Sequence, residues 1–211
     1  MATRMSREES QAATRCKLLT AASKLFTREG YGTASVDRIA AAAGFSKGAF
    51  YSNFDSKEQI FLELLEAHGE ASLGALLAAL DDARGAKAAT EAVKEAAIEA
   101  STAAAIEAVA AWADATAREG NWSLLVLEHQ RYAKPGKRFE KTQEAVFRSH
   151  WKRLGECLAT FAPGRVTDAE TLGAVVFELT HAPAMTFVRS PSAGDLVRYA
   201  LSALLLPASS R

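Results

Sequence analysis

Apolar side chains recur along most of this chain at intervals of three and four, the period of a helix with one buried face. Nowhere do they alternate long enough to predict a strand. Cys16, Leu19, Ala22 and Leu25/Phe26 form one such stripe, and the helix carrying it is expected to stop at Gly30, a residue suited to a C-terminal cap. A short second helix fits residues 36–43, with Ser35 as its N-cap and Gly44 after its end. A third fits residues 47–53 behind the cap Ser46. Ser56-Lys57-Glu58-Gln59 reads as a capping box in which Ser56 and Gln59 satisfy each other's free amides. It opens a fourth helix through Ile60, Leu62, Leu64 and Leu65 to about Leu80.

After a break at residues 81–87, the Ala-, Glu- and Lys-rich stretch 88–118 is strongly helical by propensity. Residues 122–132 make a compact apolar helix closed by Lys134-Pro135-Gly136. Residues 139–161 make the most regular helix of the chain, residues 167–186 the next, and residues 194–206 the last. Pro183 should kink or end the helix it interrupts. The expected fold class is all-α.

Composition narrows the picture. The chain has 211 residues, of which 49% are hydrophobic and 24% charged, the balance of a folded globular protein rather than a disordered one. No uninterrupted apolar run approaches the roughly 18–20 residues of a membrane helix, and the polar stretch before Gln11 lacks the apolar segment of a signal peptide. Cys16 and Cys157 form neither a ligand pair nor a disulfide framework. These features predict a cytoplasmic protein with no membrane partner. The 25 basic residues balance the 25 acidic ones, so total charge names no partner. Residues 1–57 do hold nine Lys or Arg (Arg4, Arg7, Arg15, Lys17, Lys24, Arg28, Arg38, Lys47, Lys57) against five acids (Glu8, Glu9, Glu29, Asp37, Asp55), a modest local excess.

The chemistry concentrates at residues 35–54. Val36, Ile39, Ala40 and Ala43 turn the second helix's apolar side to the first. Gly44 allows a sharp turn, Phe45 plugs the corner, and Phe50 and Phe54 anchor the third helix from inside. Ser46, Lys47, Gly48, Ala49, Tyr51, Ser52 and Asn53 are left with many outward positions. A short helix held across another by a small core is the helix-turn-helix arrangement, whose second helix fits the major groove of DNA.

The run from Ser35 to Glu58, with Gly44-Phe45-Ser46-Lys47-Gly48 at its centre, resembles the TetR family of transcriptional regulators almost position for position. The preceding helix, with Leu18-Leu19, Ala22, Leu25-Phe26 and Gly30-Tyr31, matches as well. The resemblance covers about residues 12–72. It implies an N-terminal three-helix DNA-binding domain there and a helical effector-binding and dimerisation domain over residues 73–211. It also implies that Lys47 meets DNA, that the Tyr51 hydroxyl reaches phosphate while its ring packs, and that Lys57 pairs with backbone at the start of the fourth helix. Thr33 and Ser35 serve as caps or as phosphate ligands at a helix N-terminus. Ala49 can touch a thymine methyl but cannot hydrogen-bond, so base reading falls to Ser46, Lys47, Ser52 or Asn53.

Other chemistries fit poorly. Gly44-Phe45-Ser46-Lys47-Gly48 also spells the G-x-S-x-G of serine hydrolases, but a helix rather than a buried strand precedes it. His68, His129, His150 and His181 lie too far apart for a metal site. No metal, cofactor or catalytic residue is expected.

In the second half, Phe147, Trp151, Leu154, Leu158 and Phe161 step by four and three, a seam suited to helix packing. The resemblance assigns it to a homodimer interface built from residues 139–162 with 167–186 or 193–206, although an intramolecular core would use the same pattern. Trp112, Trp122, Leu125, His129, Tyr132, Phe177, His181 and Met185 mix aromatic surface with a few polar atoms, as a small-molecule pocket does, and favour a fairly hydrophobic effector. The expected protein is a homodimeric repressor on palindromic double-stranded operator DNA, released by a small-molecule effector. An activator, or a regulator without an effector, is the alternative; a small helical enzyme is a remote one.

Overall fold

A computed structural model of the chain describes residues 6–84, 91–119, 121–132, 137–185 and 190–207, with side-chain surroundings for all of these except 91–95, 121, 137–139 and 184–185. Among the described residues every regular element is helical. The order is α1 (Arg7–Glu29), α2 (Val36–Ala42), α3 (Lys47–Tyr51), α4 (Lys57–Ala83), α5 (Glu91–Glu119), α6 (Asn121–Tyr132), α7 (Lys137–Ala159), α8 (Ala169–His181), a 3-10 turn (Ala182–Met185) and α9 (Ala193–Leu205). The all-α reading holds. The Lys134-Pro135-Gly136 break falls outside the described residues.

Side-chain caps set most of the boundaries. The Ser35 hydroxyl accepts from the Arg38 amide, Ser46 from Ala49 and Asp168 from Thr171, each satisfying an amide that the first helical turn leaves free. Ser6 with Glu9 and Ser192 with Asp195 form full capping boxes, and the first of these starts α1 earlier than its apolar stripe requires. At α4 the box is looser than expected. Ser56 accepts from the Gln59 amide, but the Gln59 side chain reaches past Ser56 to the Asp55 amide. α8 ends at His181, short of residue 186, because Pro183 has no amide for the helical ladder.

The described residues fall into two compact units. The first joins residues 1–68 to residues 121–141. Its core holds Leu18, Ala22 and Phe26 from α1, Ile39 and Ala40 from α2, Phe50 from α3, Ile60 and Phe61 from α4, and Leu125 and His129 from α6. The α1 stripe thus begins at Leu18, while Cys16, expected on it, is exposed. Phe26 lies against Tyr31 (centroids 5.5 Å apart) and edge-on to Phe61 (5.6 Å). Fully burying such a ring contributes about 1.5–3 kcal/mol. A cut after residue 72 leaves α6 out of this unit. The structure includes it because α6 supplies part of the same aromatic core.

The second unit holds residues 69–120 and 142–211. Leu73, Leu76 and Leu80 from α4, Val109 from α5, Leu154 and Leu158 from α7, Val176 from α8 and Leu201 from α9 share one core. Where α7 crosses α8 the backbones nearly touch. A Cβ on Gly155 would stand 1.6 Å from the Ala169 carbonyl oxygen, and one on Gly173 would stand 1.9 Å from that of Trp151. Leu154, Leu158 and Phe161, expected in a dimer seam, are therefore corrected to core residues. They are buried within this single chain and have no surface to offer a second copy. Phe147 and Trp151 are only half-buried.

By length and composition the Ala96–Glu119 part of α5 is apolar enough to cross a membrane, with a mean hydropathy of 1.2. Its Ala105, Ile106, Val109 and Ala113 side is instead packed in this core. Its Glu107 pairs with Arg198 at 2.8 Å, and its Asp114 accepts from the Gly194 amide at 2.7 Å. It is a core helix.

Candidate nucleic-acid interface

The turn between α2 and α3 is built from backbone hydrogen bonds and one glycine. The Gly44 amide donates to the Ala41 carbonyl at 3.0 Å and the Phe45 amide to that of Ala40 at 2.9 Å. Gly44 sits at φ +79°, a left-handed conformation that costs an L side chain about 1–2 kcal/mol. Phe50 and Phe54 are buried with ring centroids 5.6 Å apart, which pins α3 by one side. The opposite side presents Lys47, Gly48, Tyr51 and Ser52, all exposed. Their spacing places them on one helical face.

The remaining expected contacts divide by what their polar atoms already do. Thr33, Ser35 and Ser46 are exposed. The hydroxyls of Ser35 and Ser46 are engaged as caps, and the Thr33 carbonyl accepts from Arg38. Ala49 is half-buried. The Ser52 hydroxyl donates back to the Gly48 carbonyl at 2.9 Å. Asn53 is folded inward, its side-chain amide donating to the Ala49 carbonyl at 2.8 Å. Lys57 donates to the Tyr31 carbonyl at 2.9 Å and lies 4.0 Å over the Tyr31 ring. Burial pulls its pKa below the ordinary lysine value. Lys47 and Tyr51 are both well exposed, 56% at the lysine side chain and 51% for the tyrosine.

Several residues that organise this face carried no legible signal in the sequence. Arg15 from α1 donates to the Asn53 carbonyl, bonds the Glu63 carboxylate and covers the Phe54 ring at 4.1 Å, tying α1, the end of α3 and α4 together. Arg38 pairs with Glu29. Arg15 and Arg38 thus spend their charge inside the unit and add little to a phosphate-binding field. The Lys47 ammonium is held at 3.0 Å by the Asp37 carboxylate of α2, and this partner raises the lysine's pKa. At the turn into α2, the Gly30 amide caps α1 on the Phe26 carbonyl, while the Tyr31 amide donates to the Glu128 carboxylate of α6 at 2.7 Å.

The residues expected to line an effector pocket are divided between the two units. Trp122, Leu125, His129 and Tyr132 belong to the first. Leu125 and His129 are buried there, His129 packing against the rings of Tyr31 (4.8 Å) and Phe61 (5.1 Å), which also touch each other (5.0 Å). Trp122 stacks on His68 at 4.7 Å, and the Tyr132 ring covers Gly32. Trp112, Phe177 and His181 belong to the second unit. The Trp112 indole donates to the Ser72 hydroxyl at 2.9 Å, and Phe177 stacks on His181 at 4.3 Å. The Met185 side chain lies outside the described residues. An open groove of about 360 Å³ runs along α1 beside the end of α2, floored by Ala21, Leu25 and Ala43 and edged by Lys17, Lys24 and Arg28. None of the expected pocket residues lines it. Among the described residues no cluster of His, Cys, Asp and Glu is placed to hold a metal ion.

The exposed α3 face thus offers a cation, a phenol and a small-residue ridge, which is the chemistry of contact with a polyanion and with base edges. Residues 18–64 match the pattern of the bacterial regulatory proteins, tetR family. The HTH-type transcriptional activator FasR of Mycolicibacterium smegmatis is 38% identical over 82 residues, covering 37% of this chain and 37% of FasR. The HTH-type transcriptional regulator AcrR of Shigella flexneri is 37% identical over 73 residues, covering 35% of this chain and 33% of AcrR. The likeness therefore spans about a third of the length of these curated relatives. Solved structures extend the fold likeness over nearly the whole chain. The fatty acid degradation regulator FadR from Bacillus halodurans superposes with a TM-score of 0.59 at 15% identity, covering 98% of both chains. The TetR family transcriptional regulator PfmR from Thermus thermophilus superposes with a TM-score of 0.52 at 25% identity, covering 89% of this chain and 96% of PfmR. The helix-turn-helix part of the chain, residues 18–64, is thus similar in sequence to the tetR family of bacterial regulatory proteins, and its helical architecture is shared with solved structures of such regulators.

Proposed function

We propose that this protein is a sequence-specific, DNA-binding transcription regulator of the cytoplasm. In this reading it is a homodimeric repressor that leaves a palindromic operator when a small hydrophobic effector binds its C-terminal region. The carrying observation is the exposed α3 face. Lys47, Gly48, Tyr51 and Ser52 share it, while Phe50 and Phe54 hold the opposite side in the core. A helix held this way can enter the major groove without unpacking its own unit. The domain assignment that goes with this reading is a DNA-binding head over residues 12–72, braced by α6, and an effector-binding and dimerisation region over residues 73–211.

Dimerisation follows from what operator recognition demands. Two heads spaced by one turn of DNA, about 34–36 Å, read a palindrome far more selectively than one. With Leu154, Leu158 and Phe161 assigned to the core, α9 is the better interface: Tyr199 is 81% exposed and Leu196 precedes it by one turn. For the effector, Trp112, Phe177 and His181 offer aromatic surface with few polar atoms, which favours a fairly hydrophobic ligand. Release from DNA then requires the effector to bind better to a conformation whose heads no longer fit the operator.

One observation favours a second reading for the sign of regulation, since FasR, 38% identical over 82 residues, is an activator. The test is a selection of duplexes bound by the purified protein, followed by a reporter under the selected operator. Deleting the gene for this protein should raise the reporter's transcription if it represses and lower it if it activates. Failure to select any duplex would contradict the DNA-binding reading itself.

A further inference from the structure

The cation that this reading sends to DNA is not free in the unbound protein. Lys47 opens α3 and Asp37 lies in the first turn of α2, and across the Gly44 turn the Lys47 Nζ sits 3.0 Å from Asp37 Oδ2. Both side chains are well exposed, 56% and 65%, so the pair stands on the surface rather than in the core. It therefore contributes little to holding the fold together. What it does control is where the ammonium points and what must be displaced before a phosphate can take it.

Resting on the DNA-binding reading above, we propose that Asp37 is a specificity-determining residue of the reading head, competing with DNA phosphate for Lys47 and so suppressing sequence-independent binding. Non-specific affinity comes almost entirely from cations that neutralise phosphates and release counterions. An ammonium already neutralised by a carboxylate releases fewer counterions. Surrendering it to a phosphate also leaves that carboxylate unpaired beside a polyanion. Each non-specific encounter therefore loses the Lys47 contribution. A matching site, which also engages Tyr51 and the α3 backbone, has other contacts with which to offset the exchange. Arg15, Arg38 and Lys57 are occupied within the unit by Glu63, Glu29 and the Tyr31 carbonyl, so Lys47 is the residue on this face whose pairing is most easily exchanged.

The experiment measures binding of a random-sequence duplex and a selected operator duplex by fluorescence anisotropy across a salt series. It compares the full-length protein with Asp37→Asn, Lys47→Gln and the double variant, each first shown to melt like wild type. Asp37→Asn should bind the random duplex about two- to fivefold tighter at low salt, the size expected for one exposed ion pair. Its log affinity should also fall more steeply with log salt. In the Lys47→Gln background the same substitution should change affinity less than twofold, because the competition has lost its object. Equal gains in both backgrounds would show only the removal of a negative charge near DNA and would overturn the inference. Wild-type-like binding by Asp37→Asn would overturn it as well, while leaving the DNA-binding reading intact. A wild-type protein that binds neither duplex would overturn that reading and this inference together.

Discussion

The Tyr31 amide donates to the Glu128 carboxylate at 2.7 Å, joining the turn that leads into the helix-turn-helix to a helix far along the chain. α6 is thereby part of the structure that aims α2. The same turn is held from the other side by Lys57 on the Tyr31 carbonyl. Hydrogen bonds to a charged group contribute about 1.5–3 kcal/mol. Glu128→Ala should accordingly lower the urea-unfolding free energy by about 1–2 kcal/mol, whereas Glu128→Gln, which keeps an acceptor, should lose less. Equal losses in the two variants would show that packing, not the acceptor, accounts for the effect.

The α7–α8 crossing yields a sharper contrast. In Gly173→Ala the new Cβ would stand 1.9 Å from the Trp151 carbonyl oxygen, which is backbone and cannot rotate away. The variant should lose about 3 kcal/mol or more, or fail to fold. Gly74→Ala, in the interior of α4 with nothing within 4 Å of the new Cβ, should gain up to about 1 kcal/mol from helix propensity. Thermal melts of the two variants decide the matter, and similar midpoints would contradict the crossing geometry.

How much of this was legible beforehand depended on distance along the chain. Ser35, Ser46 and Gly44 act on atoms a few residues away, and local chemistry located them. Pro183 likewise ended its helix as expected. The Glu128–Tyr31 and Arg15–Glu63 contacts join residues far apart in sequence, and no periodicity records them. The heptad-like spacing of Leu154 and Leu158 was visible but ambiguous, because a helix buried in its own chain and one buried against a second copy need the same apolar face. The placement of Lys47 on α3 was also legible. Its partner Asp37 was not, since an exposed aspartate in the first turn of a helix already has a sufficient reason to be there.

Two histidines make stability depend on pH. Burial holds the pKa of His129 below the ordinary histidine value, with Glu58 opposing and Lys57 adding to the shift. Burial does the same to His181, against the raising effects of the Phe177 carbonyl and Glu178. Between these lowered values and about 6.5, the unfolded chain binds more protons than the folded one, so stability rises with pH through that window and levels off above it. The urea midpoint should fall as pH is lowered from about 7 to about 5. His129→Phe, which keeps a ring against Tyr31 and Phe61, should make that fall shallower. An unchanged slope in this variant would show that His129 contributes nothing to it.

Core and interface roles in the second unit separate by assay. Leu158→Ala should cost about 2–5 kcal/mol of stability through the cavity it leaves. Tyr199→Glu, on an exposed position, should leave the melt nearly unchanged while producing monomers by light scattering. A stable dimer in Tyr199→Glu would move the interface away from this face of α9.

DNA reading is assigned to the exposed α3 face, and the most direct measurement of that claim is the salt dependence of operator affinity for wild type and Lys47→Ala/Tyr51→Phe. Phe50 and Phe54 remain in place in this variant, and Tyr51→Phe deletes only a hydroxyl, so folding stability should change by no more than about 1 kcal/mol. The variant should bind a selected operator at least about tenfold more weakly. If Lys47 meets phosphate, the slope of log affinity against log salt should also be shallower by about one unit per contact, about two per dimer. If it meets a guanine edge, specificity at one base of each half-site should relax by roughly 1–3 kcal/mol instead. A folded, dimeric variant that binds the operator with undiminished affinity would contradict the central claim.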